Sequence, residues 1–378
     1  MGHLDLLDGV APDTLAARLV AEAEQRTGAA AAVYIVEVEG RILVRVGDSE
    51  SFPDRLDIPH TVGMELTRET EPAMRAQVAA QLGNGVAIQA LWIGARAQTV
   101  LVTASGHENE LTDLAREGGA AVDLANRCTD VFHRARRIRR VQAAAELQKD
   151  LMPPSVGVVG GGELATSILP AYEVGGDFCD WAQNPEVTRM SIADGVGKGG
   201  AAMSLSAIAL GALRSARRAG DDLAETARAV DREIRGLGRA SAFLTAVLAS
   251  WNPKTRTMSW LRLGHPPPLL IDTHRRVHEL DDTSTYPPLG LFDGDGRDLD
   301  CASRTLGGGE RFVLYSDGVS ERRGAGGERF TLDGVRRVVA QLEDDTAAAT
   351  VREILAAVRA MADEPPSDDA TLLVFRAR

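Results

Sequence analysis

Aspartates at four places in this sequence stand where an apolar run meets glycine or a turn, and together they suggest a cation site. Asp177 lies in VGGDFCDW and Asp194 in TRMSIADGVGKGG, each at the edge of an extended apolar stretch and beside glycine. Glycine there lets the main chain come close to a ligand and tolerates a positive φ. The arrangement recurs downstream. The run Phe312 to Tyr315 ends in Ser316-Asp317-Gly318, and the pair Asp368-Asp369 precedes the strand-like run Thr371 to Phe375. If those strands are neighbours, like charges crowd one pocket, which is unfavourable without a counter-charge. No cluster of Lys or Arg close by in the sequence supplies one, so divalent metal is the simplest reading. An all-oxygen set completed by water favours Mg²⁺ or Mn²⁺ over zinc. Two such ions, typically about 3.5–4 Å apart, lower the pKa of a shared water and neutralise a phosphoryl group, which is the chemistry of metal-assisted hydrolysis.

Taken in order, VGGDF, ADGVGKG, LGHPPP, LYSDGVSE and DDATLLV resemble the signature segments of the metal-dependent protein phosphatases, the PPM family, in the bacterial branch typified by the stage II sporulation E phosphatase. The likeness runs from Glu146 to Arg378, and an ordered set is more specific than any one motif. Carried over position by position, it implies that Asp194 bridges two metals and that the Gly195 carbonyl ligates one of them. Asp177 would serve the second ion, directly or through water; Asp317 and Asp368 would complete the first, with Asp369 ranked behind Asp368. The resemblance further implies direct attack of activated water on phosphoserine or phosphothreonine, with no phosphoenzyme. In this branch the usual substrates are phosphorylated anti-sigma-factor antagonists, so the implied partner is a small phosphoprotein. Departures are informative too. Val196 stands where eukaryotic relatives carry a His as candidate general acid, which leaves His265 in LGHPPP as a candidate, weighed against a plain turn residue. Cys179 replaces a frequent Tyr and reads as a packing change.

Rival patterns are weaker. Gly195, Gly197 and Gly200 satisfy GxGxxG between a strand and a helix. A dinucleotide fold then needs a second βαβ strand ending in an acid, whereas Asp221-Asp222 opens another helix. GGDF is similar to the signature of the GGDEF diguanylate cyclases, but Phe178 takes the place of the glutamate. A catalytically weak or inactive phosphatase-fold interaction protein is the remaining alternative; such relatives tend to lose metal aspartates, and all are present here. The net charge of −12 argues against a nucleic-acid partner. Cys128, Cys179 and Cys301 are scattered and form no CxxC, which suggests a reducing compartment without disulfides or a zinc site. The start, MGHLDLLDGV, shows no export signal, and no apolar run is long enough to cross a bilayer. The expectation is a cytoplasmic protein without membrane contact.

The acids must be positioned by the elements around them, and the 378 residues leave room for more than one domain. Aromatics make up only 4%, so the core rests on Ala, Val, Leu and Ile. Residues 12–135 read as helix, hairpin, helix, hairpin and a further helix, with Asp13 as N-cap of the first; this order is similar to GAF sensor domains, holding a small ligand or serving as a ligandless dimerisation module. His60 and His107 read as surface residues. Glu108 to Met152 reads as one long helix, weakened at Gly118-Gly119, with a seam through Leu111, Leu114, Ala121, Ala125, Cys128, Phe132, Ala135 and Ile138, then on through Val141 or Ala145. Part of that seam should pack on the sensor and part should form a parallel homodimer, giving a helical, coiled-coil-like linker over 136–154. The basic run His133, Arg134, Arg136, Arg137, Arg139 and Arg140 reads as the solvated face of this helix rather than a site for RNA or acidic lipid. Its tail, Leu147 to Met152, stops at Pro153-Pro154 and should transmit the sensor state to the metal site. Over 155–378, strands flanked by helices fit two packed sheets with helices outside, the αββα sandwich that the resemblance implies. The whole is expected to be an α+β chain of GAF-like sensor, helical linker and PPM-type domain.

Overall fold

The structure, a computed structural model, describes residues 10–83, 85–106, 108–138, 142–170, 175–239, 241–281, 284–291, 298–364 and 366–378. His107, Arg139, Arg140, Val141 and Val174 lie outside the described residues. Contacts divide the chain into two compact units, Met1–Val141 and Gln142–Arg378. Among the described residues no helix is long and apolar enough to cross a membrane.

In the first unit, β1 (Ala31–Val36), β2 (Ile42–Val46), β3 (Arg55–Asp57), β4 (Leu66–Thr67), β5 (Ala87–Ile93) and β6 (Arg96–Thr103) form one antiparallel sheet. Strand β1 lies between β2 and β6 and is buried along its whole length. Strand alternation divides it between two cores. Ala31, Val33 and Ile35 pack with Leu19 of α1 (Leu15–Thr27) and with Leu111 and Leu114 of α3 (Glu108–Ala125). Ala32, Tyr34 and Val36 face Met74 and Val78 of α2 (Glu71–Leu82). Asp13 does not cap α1; it sits in a 3-10 turn, Pro12–Thr14, just ahead of the helix.

The long helix expected from Glu108 to Met152 is instead broken. Helix α3 ends at Ala125, α4 spans Val131–Ala135, and α5 spans Ala143–Leu151 in the second unit. Between α3 and α4 the Cys128 and Thr129 amides both turn back to the Ala125 carbonyl, and Thr129 Oγ1 accepts from the Val131 amide at 3.3 Å. Much of the apolar seam, Leu111, Leu114, Ala121, Ala125 and Phe132, is consumed by the first unit's own core. Gly118 and Gly119 do not interrupt α3 but let it press on β5: a Cβ on Gly118 would lie 2.8 Å from Leu91 Cδ2, and one on Gly119 2.7 Å from the Trp92 carbonyl. Arg136 is not on a solvated face. It is buried, its Nη2 donates to Gln98 Oε1 at 3.0 Å, and burial pushes its pKa down to about 10, with the Glu65 carboxylate opposing the fall.

The second unit holds two sheets. One runs through β15 (Thr285–Tyr286), β12 (Thr257–Leu263), β11 (Leu244–Asn252), β10 (Thr188–Gly195) and β9 (Phe178–Gln183), with β16 (Ala302–Thr305) on β12. The other runs through β14 (Val277–Glu279), β13 (Leu269–Ile271), β17 (Arg311–Tyr315), β18 (Ala370–Ala377), β8 (Gly162–Leu169) and β7 (Val156–Val159). Between them Cys179, Ile192, Val247 and Trp251 meet Leu164, Phe312, Leu314 and Phe375, with the rings of Trp251 and Phe375 centred 4.8 Å apart. On the outer face of the first sheet, Leu244, Ala246 and Leu248 alternate toward α6 (Gly199–Ala219) and α7 (Leu223–Gly236). Helix α7 starts in a capping box, in which Asp222 Oδ1 accepts from the Glu225 amide at 2.8 Å and Glu225 Oε2 accepts from the Asp222 amide at 2.9 Å. Across the other sheet, α10 (Ala347–Arg359) lies on β8 and β18, with α9 (Thr331–Ala340) beside it. The layers run helix, sheet, sheet, helix, a mixed α+β arrangement. Strand β10 is antiparallel to both of its neighbours, which removes the dinucleotide-fold reading of Gly195, Gly197 and Gly200.

Candidate active site

Two of the acids come from neighbouring strands of one sheet. Strands β9 and β10 pair with Phe178 opposite Ala193, and the Gly195 amide donates to the Gly176 carbonyl at 3.2 Å. The register therefore continues past the end of β9 and sets Asp177 opposite Asp194. This close passage requires glycine, because a Cβ on Gly176 would stand 2.2 Å from the Gly195 carbonyl oxygen. From α6, the Ser206 hydroxyl donates to the Gly176 carbonyl and fastens the turn.

The other acids come from the second sheet. Asp317 opens the short helix α8 (Asp317–Ser320) directly after β17, and Asp368-Asp369 lead into β18. Ser316 binds these two chain ends together. Its amide donates to the Thr371 carbonyl at 3.0 Å, its Oγ accepts from the Thr371 amide at 2.9 Å, and the same Oγ donates to the Asp369 carbonyl at 3.2 Å. The Thr371 hydroxyl then donates across to Asp177 Oδ2, joining the edges of the two sheets.

The carboxyl groups feel one another. Asp177 is 1% exposed, and burial, then the Asp194 and Asp369 charges, hold its pKa well above the ordinary carboxylate range. Asp194 is pushed up to about 7 by burial and by Asp317 and Asp368, against a lowering hydrogen bond with Asp177. Asp317 is raised by burial, then by Asp368 and Glu321. In all three cases the neighbouring charges are carboxylates. Among the described residues no set of three or more His, Cys, Asp or Glu side chains stands in finished metal-ligand geometry. What the fold gathers is a group of mutually repelling oxygen donors, a set that suits a hard dication.

The two members of the final pair differ. Asp369 is fully buried, and its Oδ2 accepts from the Gly175 amide at 3.0 Å and from Gln148 Nε2 at 2.9 Å. Asp368 is half-buried, and its Oδ1 accepts the Asp369 amide at 2.9 Å. Sequence reasoning missed Gln148, which is itself buried on α5 and also donates to the Asp177 carbonyl at 3.0 Å. It missed Lys198 as well, whose Nζ donates to the Ser367 carbonyl at 2.7 Å beside Asp368. The only available signals were a polar residue between Leu147 and Leu151, and the Lys of GKG.

His265 is not a free acid; it sits in a bend just after β12, as a turn residue would, but inside the protein. It is buried, its Nδ1 lies 2.7 Å from Thr245 Oγ1 and its Nε2 3.1 Å from the Tyr315 carbonyl. A carbonyl only accepts, so Nε2 carries the proton and Nδ1 accepts from the threonine. Burial pushes the pKa down to about 3, and the ring stays neutral. Cys179 is buried against Thr166 Oγ1 at 2.6 Å.

A family model described as Stage II sporulation protein E (SpoIIE) matches residues 184–378, more than half of the chain. The chain belongs to the SpoIIE family. The matched stretch takes in Asp194, Gly195, Asp317, Asp368 and Asp369 and begins after Asp177. This SpoIIE-family chain is 26% identical over 248 residues to phosphoserine phosphatase RsbU of Bacillus subtilis (strain 168), covering 62% of the chain and 69% of RsbU. It is 28% identical, with a TM-score of 0.51, to the structure of the RsbU and RsbW domains of Rv1364c from Mycobacterium tuberculosis, covering 60% of this chain and 63% of that one. The SiaA-PP2C domain of Pseudomonas aeruginosa shares the fold, with a TM-score of 0.53 at 20% identity over 62% of this chain and 94% of that domain. By family and relatives the SpoIIE-family chain is a protein serine/threonine phosphatase.

Proposed function

We propose that this chain is a Mn²⁺- or Mg²⁺-dependent phosphatase that holds two ions between its two sheets and hydrolyses a phosphoserine or phosphothreonine protein. The observation that carries this reading is the meeting of two sheet ends: Asp177 lies opposite Asp194 on one, Asp317 and Asp368-Asp369 flank β17 and β18 on the other, and the Thr371 hydroxyl donates across to Asp177 Oδ2, a crowding that pushes Asp194 up. When bound, the ions supply an activated water and neutralise the phosphoryl charge. The chain supplies the frame. Asp194, with the Gly195 carbonyl beside it, would contribute to holding both ions, with Asp317 and Asp368 helping to hold one and Asp177 the other. Asp369 ranks behind Asp368 as a ligand, because its Oδ2 already accepts from Gly175 and Gln148, which ties it into the frame. His265, neutral and bonded at both ring nitrogens, takes no part as an acid.

The substrate class we propose is a phosphorylated anti-sigma-factor antagonist, on the strength of the family resemblance and the RsbU relatives. The first unit would act as a GAF-like sensor and the chain as a cytoplasmic homodimer, with α5 carrying the signal. Gln148 supports that last element, since one amide on α5 touches both Asp177 and Asp369. The rival is an inactive interaction protein of the same fold. Hydrolysis of p-nitrophenyl phosphate with and without Mn²⁺, for wild type and Asp194→Asn, decides between them. We expect turnover only with metal and a loss of about 100-fold or more in the variant, the scale of removing a main electrostatic contributor. Metal-independent turnover, or full activity of Asp194→Asn, sinks the proposal.

A further inference from the structure

Beyond its acids, the end of the first sheet of the second unit is apolar. The Val196 amide donates to the Phe243 carbonyl at 3.1 Å, so the pairing of β10 with β11 runs one step past Gly195. Ile192 and Val247 pack between the two sheets. Strand alternation therefore sets Asp194 and Val196, with Thr245 and Phe243 beside them, on the face turned to the second sheet. On the other side of β11, Leu244 and Leu289 exchange amide-to-carbonyl bonds, both at 2.9 Å, and Leu291 follows two residues on. Val196, Phe243 and Leu291 thus form a row across three adjacent chain segments, and the row starts two residues from Asp194.

This row is open to solvent, and the fold holds it so. Val196 is 40% and Leu291 50% exposed, Phe243 is half-buried, and none of the three belongs to the apolar cores of the second unit. The loop that carries Leu291 is fixed from below: the Gly290 amide donates to Oδ1 of buried Asp231 at 2.7 Å, and the Leu291 amide donates to the Pro288 carbonyl at 3.1 Å. Gly290 is pressed onto β11, where a Cβ would lie 2.5 Å from the Ala242 carbonyl oxygen and 3.1 Å from Phe243 Cα. Single exposed apolar side chains need no explanation, but a row that adjoins a site does. Its place says what covers it. A phosphoryl group that reaches Asp194 brings the chain carrying it over Val196, whereas a small phosphate ester leaves the row bare. The net charge of −12 gives a phosphorylated partner no long-range attraction, so short-range apolar contact must supply the affinity.

We propose that Val196, Phe243 and Leu291 form a docking lip for the substrate protein, taking aliphatic side chains that flank its phosphorylated residue within a few positions. The inference rests on the phosphatase reading and adds to it what surrounds the phosphorylated residue. The full chain with Mn²⁺ is assayed on p-nitrophenyl phosphate and on two phosphoserine peptides that differ only in carrying leucine or asparagine two residues to either side of the phosphoserine. The leucine peptide should be cut with a kcat/KM about tenfold higher, the scale of burying one such side chain. Val196→Thr, which keeps the shape and adds a hydroxyl, and Leu291→Asn should each reduce that preference to about threefold or less, with circular dichroism unchanged. Equal kcat/KM for the two peptides, or turnover of p-nitrophenyl phosphate with neither peptide cut, overturns the inference and leaves the phosphatase reading standing. A preference that survives intact in both variants overturns it too; if light scattering then shows that either variant has lost a dimer, the row belongs to a second copy of the chain. If p-nitrophenyl phosphate is not hydrolysed, the phosphatase reading and the inference fall together.

Discussion

Protonation of Asp194 gives the metal-free protein a characteristic pH response. Its carboxyl is raised from 3.8 to about 7 in the folded state, so the folded chain holds this proton more tightly than the unfolded chain does. The associated stability is fully present below about pH 4 and is lost as pH rises through 7. Asp177 and Asp317 shift in the same direction. Melting temperature in EDTA should therefore fall between pH 5 and pH 8, and added Mn²⁺ should reverse the trend. A melting temperature that rises with pH in EDTA would contradict the crowding. At Gly318 sterics dominate, since a Cβ there would lie 2.0 Å from the Asp369 carbonyl oxygen. Gly318→Ala should cost about 1–3 kcal/mol, as overpacking does, and should raise the Mn²⁺ concentration for half-maximal activity. Denaturant titration and metal titration read the two effects. At this scale the acids were legible because each marks a strand end beside glycine or a turn. Gln148 was not, because its meaning lies in a partner 221 residues away.

Helix α5 is short, and its hold on the second unit is polar as well as apolar. At its end the Leu151 carbonyl accepts from Arg214 Nη2 at 2.6 Å, and Arg214 and Arg217 share the buried Asp180 carboxylate. At its middle stands Gln148. Gln148→Ala would leave the Asp177 carbonyl and Asp369 Oδ2 short of a donor, at a cost of about 1–3 kcal/mol. We expect lower activity and weaker Mn²⁺ dependence of thermal stability, while a variant indistinguishable from wild type in both would detach α5 from the site. The periodicity of α6, α7, α9 and α10 was readable because each buries one face on a sheet. The same signal misled over residues 108–152. An apolar stripe says that a helix face is covered, not what covers it, and here Leu111, Leu114, Ala121, Ala125 and Phe132 are used by the first unit's own core. Gly118-Gly119 misled in the same way, since close approach to β5 outweighs their poor helix propensity.

The division of contacts at Val141 and Gln142 gives each unit its own core. A fragment spanning 142–378 should fold and retain Mn²⁺-dependent hydrolysis of p-nitrophenyl phosphate; an unfolded or inactive fragment would mean that the second unit depends on the first. The sandwich was legible as an ordering of helices and strands, but which strands face each other was not, because pairing such as β8 with β18 joins distant parts of the chain. His265 carries that long-range logic to the mouth of the site. Thr245, one of its partners, sits opposite Asp194 in the sheet, and Tyr315, the other, stands two positions ahead of Asp317. The imidazole is thus a strut between the two walls that bear the charges. Ions would enter a frame already braced against its own repulsion, so loading should tighten the rim loops without drawing the walls together.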